Sequence, residues 1–125
     1  MILELSQEFY FEAAHTLCRG HNAESSGQIH GHTYNAEVTV RGEQDQSTGM
    51  VLDLSVLRAN IDSVRAMLDH RLLDEIADLG TPTIENLSTF IARKLCALEP
   101  RVVAVRVWRN ASGDSCLLRL SRDQT

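Results

Sequence analysis

Three histidines carry the first chemical signal in this sequence: His15, and the pair His30 and His32 separated by one glycine. Side chains of an extended segment alternate in direction, so a His-x-His pair sends both rings to one side. His15 closes an earlier alternating segment on its apolar side, so pairing the two segments gathers three imidazoles on one face. Three neutral imidazoles fill three corners of a tetrahedron around a divalent ion and leave the fourth open for water or substrate. Imidazole favours zinc among the abundant metals, although other divalent ions accept the same donors. One such histidine alone is ordinarily a hydrogen-bonded core residue. Three at one parity each need a partner, and a single metal satisfies all of them.

The elements that must hold these rings follow from periodicity. From Leu3 to His15 the odd positions read Leu3, Leu5, Gln7, Phe9, Phe11, Ala13 and His15, mostly apolar, whereas Glu4, Ser6, Glu8 and Glu12 lie opposite, a two-residue period that predicts a half-buried strand. His30 to Val40 repeats the pattern, with His30, His32, Tyr34, Ala36, Val38 and Val40 on one face. Residues 19–28 between them are polar and predict a loop. Asp53 or Ser55 is placed to cap a helix whose apolar stripe is Leu57, Ile61, Val64 and Leu68. Thr81, Pro82 and Thr83 introduce a second helix, with Glu85 in its first turn and Leu87, Ile91, Leu95 and Leu98 as its buried stripe, ending at Pro100. Val102 to Arg109 and Cys116 to Leu120 predict two further strands joined by a turn. The order β-β-α-α-β-β suits an α+β fold, a four-stranded antiparallel sheet with both helices on one face. Exposed sheet edges in such a fold favour a homo-oligomer.

The chain is 125 residues long, the usual length of one domain spanning 1–125, and its 43% hydrophobic and 23% charged content is that of an ordinary globular protein. A formal charge of −5 argues against nucleic acid or an anionic membrane as partner, though local arginines can still bind a phosphorylated small molecule. Apolar runs fall short of the roughly 20 residues of a membrane span, and the start lacks a basic signal segment, so a cytoplasmic location is expected. Cys18, Cys96 and Cys116 are an odd set without close pairing, expected as reduced thiols, with Cys96 and Cys116 in the core. His21 is expected as a surface loop residue.

Beyond spacing, Phe11, Glu12, Ala13, Ala14 and His15, followed by His30, Gly31, His32, Thr33, Tyr34 and Asn35, resemble the zinc signature of the 6-pyruvoyl- and 6-carboxytetrahydropterin synthase family. Val51 to Leu54 resembles that family's entry to the first helix, Leu68, Asp69 and His70 its catalytic Asp-His pair, and Pro82 to Leu87 its entry to the second helix. The resemblance implies a tunnelling-type fold and a zinc-dependent lyase acting on 7,8-dihydroneopterin triphosphate. Length of the loop before His30 places it nearest the bacterial 6-carboxytetrahydropterin synthase branch, which feeds queuosine synthesis. By position, His15, His30 and His32 become the Zn2+ ligands, Asp69 and His70 a proton-transfer pair, and Thr83 and Glu85 a border of the pterin pocket. It further implies a trimer or hexamer with active sites between subunits.

Two departures from the family pattern stand out. The catalytic cysteine lies four residues before His-Gly-His in the carboxytetrahydropterin branch and six before it in the pyruvoyl branch, where this chain has Ser26 and Glu24. Cys18 and Glu24 are the groups that can supply the missing function, and Cys18 is preferred, because a thiol near zinc has a depressed pKa. The family also ends its third strand with a glutamate that grips the pterin's N–H donors, and here Arg109 stands there. Arginine only donates, so either Asn110 accepts one of those bonds or Arg109 binds an anionic group.

Overall fold

A computed structural model of the chain describes residues 1–16 and 28–120. The elements follow the expected order: β1 (Ile2–His15), β2 (His30–Glu43), α1 (Leu54–Arg65), α2 (Ile84–Leu98), β3 (Val102–Arg109) and β4 (Asp114–Arg119), with a 3-10 turn at Leu73–Glu75. The pairings among the four strands are antiparallel, and the strands lie in sequence order, leaving β1 and β4 at the edges. Both helices pack on one face of the sheet. Cys18, His21, Glu24 and Ser26 lie outside the described residues. Among the described residues no helix is long and apolar enough to cross a membrane.

The alternation that predicted β1 and β2 also sets their register. Phe11 pairs with Tyr34, Ala13 with His32 and His15 with His30. Phe11 and Tyr34 are both buried, and their rings stack with centroids 5.1 Å apart. This aromatic step adds about 0.5–1.5 kcal/mol beyond its buried area and fixes the strand pair one repeat before the histidines.

Asp53 caps α1 by accepting from the Ser55 amide at 2.9 Å, and Thr83 caps α2 by accepting from the Asn86 amide at 3.1 Å. Leu57, Ile61 and Val64 are buried as the helical period requires. Leu68 is buried too, but α1 has already ended at Arg65, and the chain reaches Leu68 through tighter turns. Leu98, expected in the stripe of α2, is 49% exposed, although Leu95 before it and Glu99 after it are buried. On β3 the inward parity runs through Val102, Val105 and Val107, since a bulge opposite Thr39 and Val40 shifts the register and half-exposes Val103. Cys96 and Cys116, expected in the core, are free thiols that are only half-buried.

The segment after α1 docks on the outer edge of β1. The His70 amide donates to the Glu12 carbonyl at 2.6 Å and the Ala14 amide to the Arg71 carbonyl at 3.0 Å. A short parallel bridge between Ala14 and Leu72 completes the contact. It satisfies edge groups of β1 that would otherwise lie open.

Candidate active site

Strand pairing brings the three predicted imidazoles together at one end of the sheet. The His15 ring lies 4.9 Å from that of His32 in a stacked arrangement and 6.2 Å from that of His30, tilted by 38°. His15 is 6% exposed, and both of its ring nitrogens are buried without a hydrogen-bond partner of acceptable geometry. Stacked rings present faces rather than nitrogens to one another. Accordingly, among the described residues no three His, Cys, Asp or Glu side chains converge on one point at ligand spacing. The donor chemistry nevertheless fits a divalent metal. Burial lowers the pKa of both His15 and His32, and the charge of Arg109 pushes the same way, so both rings stay neutral, the form that ligates. Two orphaned buried nitrogens on one ring are costly unless a partner arrives, and side-chain torsions alone can turn the rings.

A carboxylate that the sequence reading did not single out holds the end of β1. Asp74 accepts from the Thr16 amide at 2.8 Å and from the Thr16 hydroxyl at 2.7 Å, one residue beyond His15. The Asp74 charge also opposes the lowering of the His15 pKa. Nothing in the sequence marks Asp74, because the contact exists only once the 3-10 turn docks beside the strand.

Next to His15 opens a cavity of about 510 Å3 bordered by Tyr34, Thr83, Glu85, Arg109 and Asp114. Thr83 and Glu85 reach it because the N-terminus of α2 points there, and Arg109 because β3 ends there. Arg109 is paired across the β3–β4 hairpin with Asp114 and forms an ion pair with it. Burial raises the pKa of the Tyr34 hydroxyl against an opposing charge and hydrogen bond from Arg109, so the phenol stays protonated. Asp114 was also missed by sequence reasoning, although its place just after the Gly113 turn, where φ is +78°, starts the strand opposite Arg109.

Asp69 and His70 do form a pair. His70 Nδ1 and Asp69 Oδ2 lie 2.9 Å apart, the Glu12 amide donates to Asp69 Oδ1 at 2.9 Å, and Arg65 Nη2 lies 3.4 Å from Oδ2. The Glu12 amide bond is the main reason the Asp69 pKa is lowered, with His70 and Arg65 adding to it. His70 has φ +59°, the left-handed region that disfavours a side chain, and its ring is 76% exposed. The His70 amide bond to the Glu12 carbonyl helps hold the residue in that conformation. His70 borders a second cavity, of about 520 Å3, shared with Glu12, Gly31, His32 and Thr33. Thus His15 and His70 face separate cavities of one chain, and His32 connects the two groups by stacking on His15.

The sequence profile of the family described as 6-pyruvoyl tetrahydropterin synthase matches residues 4–118. The chain is 38% identical over 94 residues to the 6-carboxy-5,6,7,8-tetrahydropterin synthase of Synechocystis sp., a match covering 71% of each protein. It is 36% identical over 111 residues to the dihydroneopterin monophosphate aldolase of Pyrococcus furiosus, covering 89% of this chain and 80% of that one. Its fold superposes on the 6-pyruvoyl tetrahydropterin synthase of Caenorhabditis elegans with a TM-score of 0.84 at 27% identity, covering 97% of both chains.

Proposed function

The chain belongs to the 6-pyruvoyl tetrahydropterin synthase family, and from that premise we propose that it is a zinc-dependent lyase acting on the phosphorylated side chain of a dihydroneopterin, as 6-carboxytetrahydropterin synthases do. It is an enzyme with the lyase activity of its family. The observation that carries the finer reading is the buried His15 ring, unpartnered at both nitrogens, in register with His30 and bordering a cavity that Glu85, Arg109 and Asp114 also line.

In this reading His15, His30 and His32 hold Zn2+, which when bound supplies Lewis-acid polarisation of the substrate's side-chain hydroxyls. Every other step belongs to the chain's own groups. His70 takes and returns a proton at its ring, oriented by Asp69, whose carboxylate favours the imidazolium that forms. Cys18 is the preferred thiolate for moving a proton along the side chain, with Glu24 as the alternative base. Thr83, Glu85 and Arg109 border the ring-binding cavity. His15 and His70 border separate cavities in one chain, and both outer strands leave edges to pair. The reading therefore includes a homo-oligomer, a trimer or hexamer, in which one copy supplies the Asp69–His70 pair to another's His15 cavity. A cytoplasmic enzyme of deazapurine precursor synthesis, the queuosine branch, completes it.

A second reading is a retro-aldol cleavage, favoured by the 89% of this chain that matches the aldolase and by the lack of a thiol at Ser26 or Glu24. Breaking the bond between the first two side-chain carbons needs a base for the second hydroxyl and an acid for the departing carbon. An imidazole supplies both without a thiolate. Zinc-loaded protein incubated with dihydroneopterin triphosphate separates the readings. The first predicts triphosphate and acetaldehyde. The second predicts a two-carbon aldehyde phosphate from the monophosphate, and absence of any product from either substrate contradicts both.

A further inference from the structure

Two carboxylates face the cavity beside His15, and they are held differently. Glu85 stands exposed in the first turn of α2, and among the described residues its carboxylate has no hydrogen bond or ion pair. Asp114 is fixed. Its Oδ2 accepts from Arg109 Nε at 3.2 Å and from Arg109 Nη2, and its Oδ1 accepts from the Ser112 hydroxyl. Arg109 is itself 79% shielded, with its side chain 21% exposed, against the buried Tyr34. These side-chain bonds, with help from its own backbone amide, hold the carboxylate in place, while its side chain stays 37% exposed at the cavity wall.

A pterin edge presents a ring N–H and an exocyclic amino group, both donors, beside a carbonyl acceptor. Reading that edge requires an ionised acceptor fixed in place next to a donor. Arg109 alone cannot accept, and Glu85 alone is not fixed. Asp114 with Arg109 offers both halves: a fixed, partly exposed carboxylate at the cavity wall, and guanidinium N–H groups beyond those spent on Asp114 and Tyr34. The pair is also close to neutral as a unit, which makes it a poor site for phosphate and a suitable one for an uncharged ring. We propose that Asp114 is the specificity-determining acceptor for the pterin ring's N–H donors, and that Arg109 is the residue that positions it and donates to the ring carbonyl. Hydrogen bonds from Ser112 and Arg109 lower the Asp114 pKa to about 2, so the acceptor is ionised throughout the neutral range.

This inference rests on the pterin reading above, and its test distinguishes the two. Neopterin, which carries no phosphate, is titrated against zinc-loaded wild type, Asp114→Asn, Asp114→Glu and Arg109→Gln by the change in pterin fluorescence. Asp114→Asn is expected to weaken binding about tenfold to a hundredfold, the scale of a charge-assisted bond. Asp114→Glu, which keeps the carboxylate, should recover most of the loss, which a folding defect would not do. Arg109→Gln should weaken neopterin and neopterin phosphate by the same factor. Wild-type affinity in Asp114→Asn overturns the proposal while leaving the pterin reading intact. A loss in Arg109→Gln confined to the phosphorylated ligand overturns it in favour of an anion site. Failure of wild type to bind neopterin overturns the pterin reading, and this proposal with it.

Discussion

His15 and His70 both adjoin the end of β1 but border different cavities, and the fold holds the two rings by opposite means. His15 is 6% exposed, lacks a partner at both ring nitrogens, and has its pKa lowered by burial. His70 has its ring 76% exposed, bonded to Asp69, on a left-handed backbone pinned to the Glu12 carbonyl. Burial, helped by the charge of Arg109, keeps the first ring neutral, the state a metal ligand needs. A hydrogen-bonded scaffold orients the second while leaving it open to water and substrate, as a proton carrier requires. One sheet edge thus supports both, because β1 turns His15 inward and offers its outer backbone groups to the segment that carries His70.

The contrast breaks most visibly at His70. His70→Ala is expected to lower kcat by about 100-fold to 10,000-fold while leaving zinc affinity unchanged, checked by steady-state rates beside a metal titration. A fall in zinc affinity in that variant would merge the two regions into one. Asp74→Ala sharpens the His15 side: losing the carboxylate that anchors Thr16 should weaken zinc about 10-fold to 100-fold with little change in thermal stability. Backbone strain gives a smaller effect. His70→Gly should be more stable than His70→Ala by about 1 kcal/mol in urea unfolding, because only the glycine is unstrained at φ +59°.

The smallest effect concerns Asp114. Its pKa is lowered from 3.8 to about 2, so the stability it contributes is present above the unfolded value and disappears as pH falls through about 2. With the side chain 37% exposed, solvent screening keeps that contribution below about 1 kcal/mol. Urea unfolding of wild type and Asp114→Asn should therefore differ at pH 5 and converge near pH 2. A difference that grows on acidification would contradict the sign.

Periodicity foretold the parts of this site that depend on one strand at a time. The two-residue alternation placed Phe11, Ala13 and His15 inward, and the same parity on β2 placed His32 and Tyr34, so the meeting of His15 with His32 was legible. Caps at Asp53 and Thr83 were legible for the same local reason. What escaped depends on contacts between distant segments. The bulge at Thr39 and Val40 moved the inward parity from Val103 to Val102, and no single-strand pattern records a two-against-one pairing. Asp74 acquires its role only when the 3-10 turn docks on β1, and Asp114 only through the hairpin register that sets it opposite Arg109. The family resemblance marks Asp69 and His70 as a pair, but nothing in the sequence tells that His70 borders a different cavity from His15.

Titration of purified, metal-free protein with zinc, in wild type and in His15→Ala, tests the account most directly. One zinc per chain in wild type, weakened more than about 100-fold in a folded His15→Ala, is the predicted result. Wild type indifferent to zinc, or His15→Ala binding it as tightly as wild type, would contradict the view that the buried ring of β1 is a metal ligand.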